Sequence, residues 1–415
     1  MPCVVNLAWL SPEKRRRGTA LVTSLILLAV LALLGSTAIL TAITDTQIGA
    51  NYKTAVQAFY VAEAGTAEAR ERLRASAGNN RIVDNYPTSP QWRAYIGSTA
   101  QAQAKGYEPG NSQHVRVDSL LLQDLLPHTS YTVEISHAVD NLGNVLYWGD
   151  HDNDGTLTRN PTTGGNIYVI TSYGAASGAN KIVRVEAAQF PAFNVPGALY
   201  VEAPTFVQGN TEIIGMDSCG NNHKPGIVTT LAESTVQQLG GPITIMGLPE
   251  DIQDNASATD ITAFVEAFRP FAQFSYTGSN LVHTATSTPG PAEGWGQPTL
   301  GALPTDPSSC DVYNIVHYDT EGTMVQLSGG GSGCGILLVE GDLQISGTFS
   351  WYGLIVVTGS VAFTQGELEQ KQIRGAVLAG GTLPNSIGLN SHIVYCSAAV
   401  NTQNLPLRVL SWREM

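Results

Sequence analysis

The sequence predicts an α+β protein in three parts: a long N-terminal helix, a small antiparallel sheet, and a mainly-β, solenoid-like C-terminal domain. Three observations lead there. Residues 19–43 carry no charge and directly follow a basic cluster. Short runs of strand period occur at 131–135, 166–172 and 179–186. In the second half, a glycine-punctuated apolar motif repeats in register.

The helix comes first. Lys14-Arg15-Arg16-Arg17 ends at Gly18, and the next charged residue is Asp45. At about 1.5 Å rise per residue, a helix over 19–43 is roughly 37 Å long, longer than the roughly 30 Å hydrocarbon core of a bilayer. A soluble helix of that length needs a polar face, and here only scattered Thr and Ser occur. The segment is therefore expected to cross a membrane once, with its basic flank on the cytoplasmic side and the rest of the chain exported. An ordinary secretory signal has a shorter apolar region and a small-residue cleavage site, for which Ala38 and Ala42 are poor stand-ins. Beyond the span, Ile48, Tyr52, Ala55, Phe59, Ala62, Thr66, Ala69 and Leu73 recur in steps of four and three, one stripe on a continuous helix. Gly78, Asn79 and Asn80 are expected to stop it after residue 76.

Arg17-Gly18-Thr19-Ala20-Leu21-Val22, then Leu33-Leu34-Gly35, then Ala58-Phe59-Tyr60-Val61-Ala62-Glu63-Ala64-Gly65 together resemble the N-terminal signature of PilX-type minor pilins of the type IV pilus. The resemblance implies that a prepilin peptidase removes residues 1–18 by cutting between Gly18 and Thr19, with methylation of the processed protein. It also implies that the mature helix, carrying Thr23, Phe59 and Glu63, assembles with other pilins. Major pilins have a glutamate as the fifth mature residue, which pairs with a neighbour's terminal amine. Thr23 stands at that position here, as is common in PilX-type pilins, and this argues against a bulk fibre subunit. Read without the resemblance, the segment is a plain signal anchor with a chance glycine.

The whole chain has a formal charge of −13, and loss of residues 1–18 removes four basic and one acidic residue, leaving −16. Phosphate binding needs basic surface, so nucleic acid is excluded as a partner. Cys3 leaves with the leader. Cys219, Cys310, Cys334 and Cys396 remain, an even number in an exported chain, which predicts two disulfides among three possible pairings.

Residues 77–190 are expected to form the sheet domain, whose three strands can bury one face on the helix stripe. Between the first two strands lies Asp150-His151-Asp152-Asn153-Asp154-Gly155. Alternate carboxylates followed by glycine can fold round calcium, with Asp150, Asp152 and Asp154 as ligands. The bidentate acid of an EF-hand would fall at Pro161, so that full pattern is absent; the alternative is a solvated Asp/Asn/Gly loop.

In residues 191–410, Gly197-Ala198-Leu199-Tyr200-Val201-Glu202 parallels Gly335-Ile336-Leu337-Leu338-Val339-Glu340, and Gly209 and Gly215 correspond to Gly347 and Gly353. Further turns start at Gly353 and Gly375. Such repetition predicts stacked β-solenoid rungs, with an insertion at about 220–334 that contains a helix near 259–268. A β-sandwich is the rival architecture.

No catalytic constellation is present. The eight histidines are scattered, neither H-E-x-x-H nor G-x-S-x-G occurs, and the glycine run 329–335 lacks a phosphate-loop lysine. The chain therefore reads as a non-enzyme: a minor pilin that helps initiate or cap pilus assembly and presents a large, adhesive head. The expected partners are other pilins and minor pilins, the prepilin peptidase and the inner membrane. Before assembly the head would lie in the periplasm, and after it on the pilus or cell surface. A membrane-anchored binding module for a ligand such as carbohydrate, and a type II secretion pseudopilin, are the alternatives.

Overall fold

The computed structural model describes residues 13–74, 81–120, 128–152, 157–191, 193–285, 294–301, 307–364, 370–388 and 390–415. Its N-terminal element is one unbroken helix, Glu13–Arg72. The helix is already formed at Glu13, before the expected residue 19. The Gly-Asn stop expected at 78–80 lies outside the described residues.

The second half of the helix packs on an antiparallel sheet. The three predicted strands are present as Thr129–His137, Gly165–Ala176 and Ala179–Ala188, paired antiparallel in that order. Arg93–Ile96 extends the sheet beyond Thr129–His137, with His114–Val117 parallel to it. At the other side, Arg408–Glu414 pairs antiparallel with Ala179–Ala188. This last strand straddles the expected limit at 410. The solenoid is thus inserted between two neighbouring strands of the sheet, and the chain returns to the sheet after completing it.

The stripe expected to meet the sheet does so only from its middle onward. Ala62, Ala69 and Leu73 are buried with Tyr131, Val133, Ile135, Ile170, Val183 and Val185. Ile48 and Tyr52 are exposed, because the sheet does not reach that far down the helix. Two glycines set the helix–sheet distance. A Cβ on Gly174 would collide with Ala58 O and Ala62 N, and one on Gly65 would strike Ser172 Oγ. Side chains there would hold the two layers apart and strip the core of its contacts.

The second body is a three-sided parallel β-solenoid. Its first face stacks eight levels in the spatial order 274–277, 316–319, 337–340, 355–357, 377–379, 199–201, 227–229 and 252–253. The second face runs 281–285, 325–329, 343–346, 361–364, 385–388, 205–208 and 236–239. The third runs 331–334, 349–352, 371–374, 391–394, 211–214 and 243–246. The predicted glycine register is real: Gly335 pairs with Gly353, and Gly353 with Gly375. All three have φ between +125° and +149°, and a Cβ on Gly353 or Gly375 would run into the carbonyl of the glycine one level away.

Spatial order and chain order differ, and here the expected insertion is corrected. The stretch 220–334 supplies levels of its own at both ends of the stack. The chain enters at the sixth level, adds the seventh and eighth, then crosses back along the helix Ile261–Phe268 to start the first. It continues to the fifth level, which closes against the sixth through Val377↔Leu199 and Ser391 beside Thr211. The crossing helix buries Ile261, Phe264, Val265 and Phe268 over the first face. Phe349–Val357 is buried at every position, with the helix packing on it and the strand Pro307–Val312 lying against it as well, as strands coated on both sides are. Cys219–Cys396 ties the end of the sixth level to the chain leaving the fifth, and Cys310–Cys334 ties a short hairpin to the second level.

Candidate functional site

The functional element predicted by sequence is the helix, and its two halves have opposite surroundings. Residues 20–53 are exposed along their whole length, with Leu21, Leu27 and Leu33 each more than 60% open. The span is long and apolar enough to cross a membrane. Its hydroxyls are compatible with lipid. Thr23, Ser24, Ser36, Thr37, Thr41, Thr44 and Thr46 all donate to carbonyls three or four residues earlier, at 2.7–3.0 Å. A polar group satisfied within its own helix carries little desolvation cost into hydrocarbon. Thr23 in particular donates to Ala20 O and adds no charge to the span. Gly18 and Thr19 lie in the first turns of the same helix. A Cβ on Gly35 would meet nothing within 4 Å, leaving a flat spot where another helix can approach.

From Thr54 onward the helix is held by the head. Phe59 is half-buried and meets Trp412 of the last strand edge-to-face at 6.0 Å. Glu63 is not part of the core; it lines an open groove of about 440 Å³ with Tyr60, Arg70, Val185 and Trp412. The residues that lock the helix were not singled out by sequence. Glu68 and Arg72 are buried and paired at 2.6 Å. Arg72 also donates to Asp118 O, Leu120 N donates to Glu68, and Tyr131 donates its hydroxyl to Glu68. Burial, and then the hydrogen bond to Glu68, push the Tyr131 hydroxyl well above its ordinary range. An i,i+4 acid–base pair on a helix normally signals a solvated face, so only the strand and loop over it reveal its burial.

The proposed calcium ligands fall on either side of what the structure describes. Asp150 and Asp152 precede the strand Thr158–Asn160, and Asp152 lies 3.7 Å from His151. Asp154 is outside the described residues. Among the described residues no group of three His, Cys, Asp or Glu side chains could hold a metal.

The sequence motifs on this helix are matched by a known family. Residues 17–67 match the PilX N-terminal family model. The match supports a type IV minor pilin, and it stops before the sheet and the solenoid. No curated protein matches the chain. Among solved structures, the competence-associated pilin ComZ from Thermus thermophilus is similar at 12% identity, over 87% of this chain and 98% of that one, with a TM-score of 0.23. The matched segment contains Ala58, Ala62 and Gly65, the small residues that let the helix lie against the sheet. In this chain the A-F-x-x-A-E-A-G motif is therefore a docking surface for the chain's own head.

Proposed function

We propose that this chain is a minor pilin that enters a type IV pilus through its N-terminal helix and helps initiate or cap the filament, carrying the solenoid outward as an adhesive head. The observation that carries this reading is the division of one rigid helix into an exposed apolar half and a half fastened to the head. In the membrane the first half contacts lipid. In a filament the same surface packs against equivalent helices, exchanging lipid contact for van der Waals contact at small residues such as Gly35, Ala38 and Ala42. The head is large for a repeating shaft, which favours a position at the end. Catalysis plays no part in this role.

The test is mass spectrometry of the N-terminus in membranes and in sheared filaments. The expected result is a chain starting at Thr19 in both, and an intact leader with no filament incorporation in the Gly18→Val variant. A leader retained on the parent protein would sink the proposal. A type II secretion pseudopilin would be processed in the same way, and recovery of the chain from sheared pili separates the two.

A further inference from the structure

The solenoid ends at its eighth level without a cap. Val236–Leu239, Ile243–Met246 and Ile252–Gln253 each pair on one side only, and among the described residues no strand covers the other. One level in, Val207, Ile213 and Ile227 are fully buried. Ile245, stacked on Ile213, and Ile252, stacked on Ile227, are only partly covered, and Leu239, Met246 and Leu248 are 46–48% exposed. Gln238, Ile243, Ile245, Glu250 and Ile252 line a shallow depression of about 590 Å³ there. A solenoid whose core runs out to solvent needs a polar terminal repeat or a partner.

The main chain is also presented. Gly215 N donates to Met246 O and Thr211 N to Pro242 O, so the even-numbered residues bond to the level below. In a parallel strand the residues alternate in the edge they address, and the N–H and C=O groups of Ile243 and Ile245 face outward.

Charge decides what can bind. Residues 226–268 contain Glu233, Glu250, Asp251, Asp254, Asp260 and Glu266, and no Lys, Arg or His. A second copy would bring the same acidic rim and be repelled. We propose that this end docks a basic, strand-forming segment of another protein. The segment adds along Ile243–Met246, its apolar residues covering Ile243 and Ile245 and its cations meeting Glu250 and the neighbouring acids. The surface belongs to the head and is independent of how the helix is processed.

The test is amide hydrogen exchange on the full chain in neutral detergent, with a short synthetic peptide alternating Val and Lys. The expected result is exchange at Ile243 and Ile245 slowed by roughly tenfold or more, little effect from a Val/Glu peptide, and weaker protection in Glu250→Lys. Met246→Lys, an exposed change that leaves the core intact, should weaken it as well. Unchanged exchange at Ile243 and Ile245 under saturating Val/Lys peptide would overturn the proposal, as would equal protection by the Val/Glu peptide. Protection that appears without peptide and grows with protein concentration would assign this end to a second copy and overturn it too.

Discussion

Replacing Gly174 by alanine tests whether glycine sets the distance between helix and sheet. The new Cβ would sit against Ala58 O, 2.5 Å from Ala62 N and 2.8 Å from Ala62 Cβ. Two of those three atoms are helix backbone and cannot rotate away. Restoring ordinary contact distances requires the layers to separate by about 1 Å, and a gap of that size forfeits a quarter to a half of each lining contact. Overpacking of this kind costs about 1–3 kcal/mol, while the lower entropy of the unfolded alanine chain returns about 0.4–1 kcal/mol. The net expectation is a loss of about 1 kcal/mol. At Gly65 the nearest atom is the side-chain Ser172 Oγ, with Tyr131 Cδ2 and Val133 Cγ2 at 3.0 Å. A helical Gly→Ala change gains about 1 kcal/mol in propensity, so Gly65→Ala should cost less. Gly49 has nothing within 4 Å, and Gly49→Ala should not destabilise. Urea unfolding in neutral detergent, followed by the fluorescence of Trp92 in this core, measures all three. A Gly174→Ala midpoint equal to that of the parent, or a Gly49→Ala loss as large as that of Gly174→Ala, would refute the argument.

Three further outcomes are expected. Burial raises the Asp217 carboxyl, but N–H donors from Ser397, Asn222 and Cys219 more than offset it, leaving its affinity for protons below the ordinary range. That contribution is complete above about pH 4, the unfolded value, and is lost as pH falls through the lower folded value. Asp217→Asn should therefore lower stability at neutral pH and flatten the loss below about pH 4 in an acid unfolding series; a parallel acid limb would count against it. Because Cys219–Cys396 spans 177 residues and Cys310–Cys334 only 24, loop entropy predicts that losing the first by paired Cys→Ser changes costs about 2 kcal/mol more. Equal melting temperatures would reject this. If Asp150, Asp152 and Asp154 bind calcium, the ion should raise the melting temperature and Asp152→Ala should abolish the rise; no shift in the parent would retire the site.

The legible parts of this molecule are those whose physics is local. A charge-free run longer than a bilayer is thick declares a span whatever follows it. The 131–135 and 179–186 strands were visible because one-sided burial imposes a period of two, whereas 166–172, buried on both faces from Asn166 to Ile170, was visible as a run of β-branched and aromatic residues. Gly335, Gly353 and Gly375 were visible because each level must solve the same steric problem against its neighbour, so the same residue recurs. Glu68 and Arg72 were not visible, because an acid and a base one turn apart look alike in water and under a sheet. Nor was the true extent of the stripe: Ile48 and Tyr52 keep its period but lie past the end of the sheet.

Sequence by itself determined the membrane-length helix, the resemblance to PilX-type pilins, the presence of stacked glycine-turned levels and the expectation of two disulfides. Only the tertiary structure decided the order of the levels, the closure of the fifth against the sixth, the pairing Cys219–Cys396 and Cys310–Cys334, and the return of Arg408–Glu414 to the first sheet. The reason is that parallel strands bond alike wherever they stack. No local signal distinguishes one neighbour from another, and the choice falls to the crossing helix and to contacts between residues far apart in the chain.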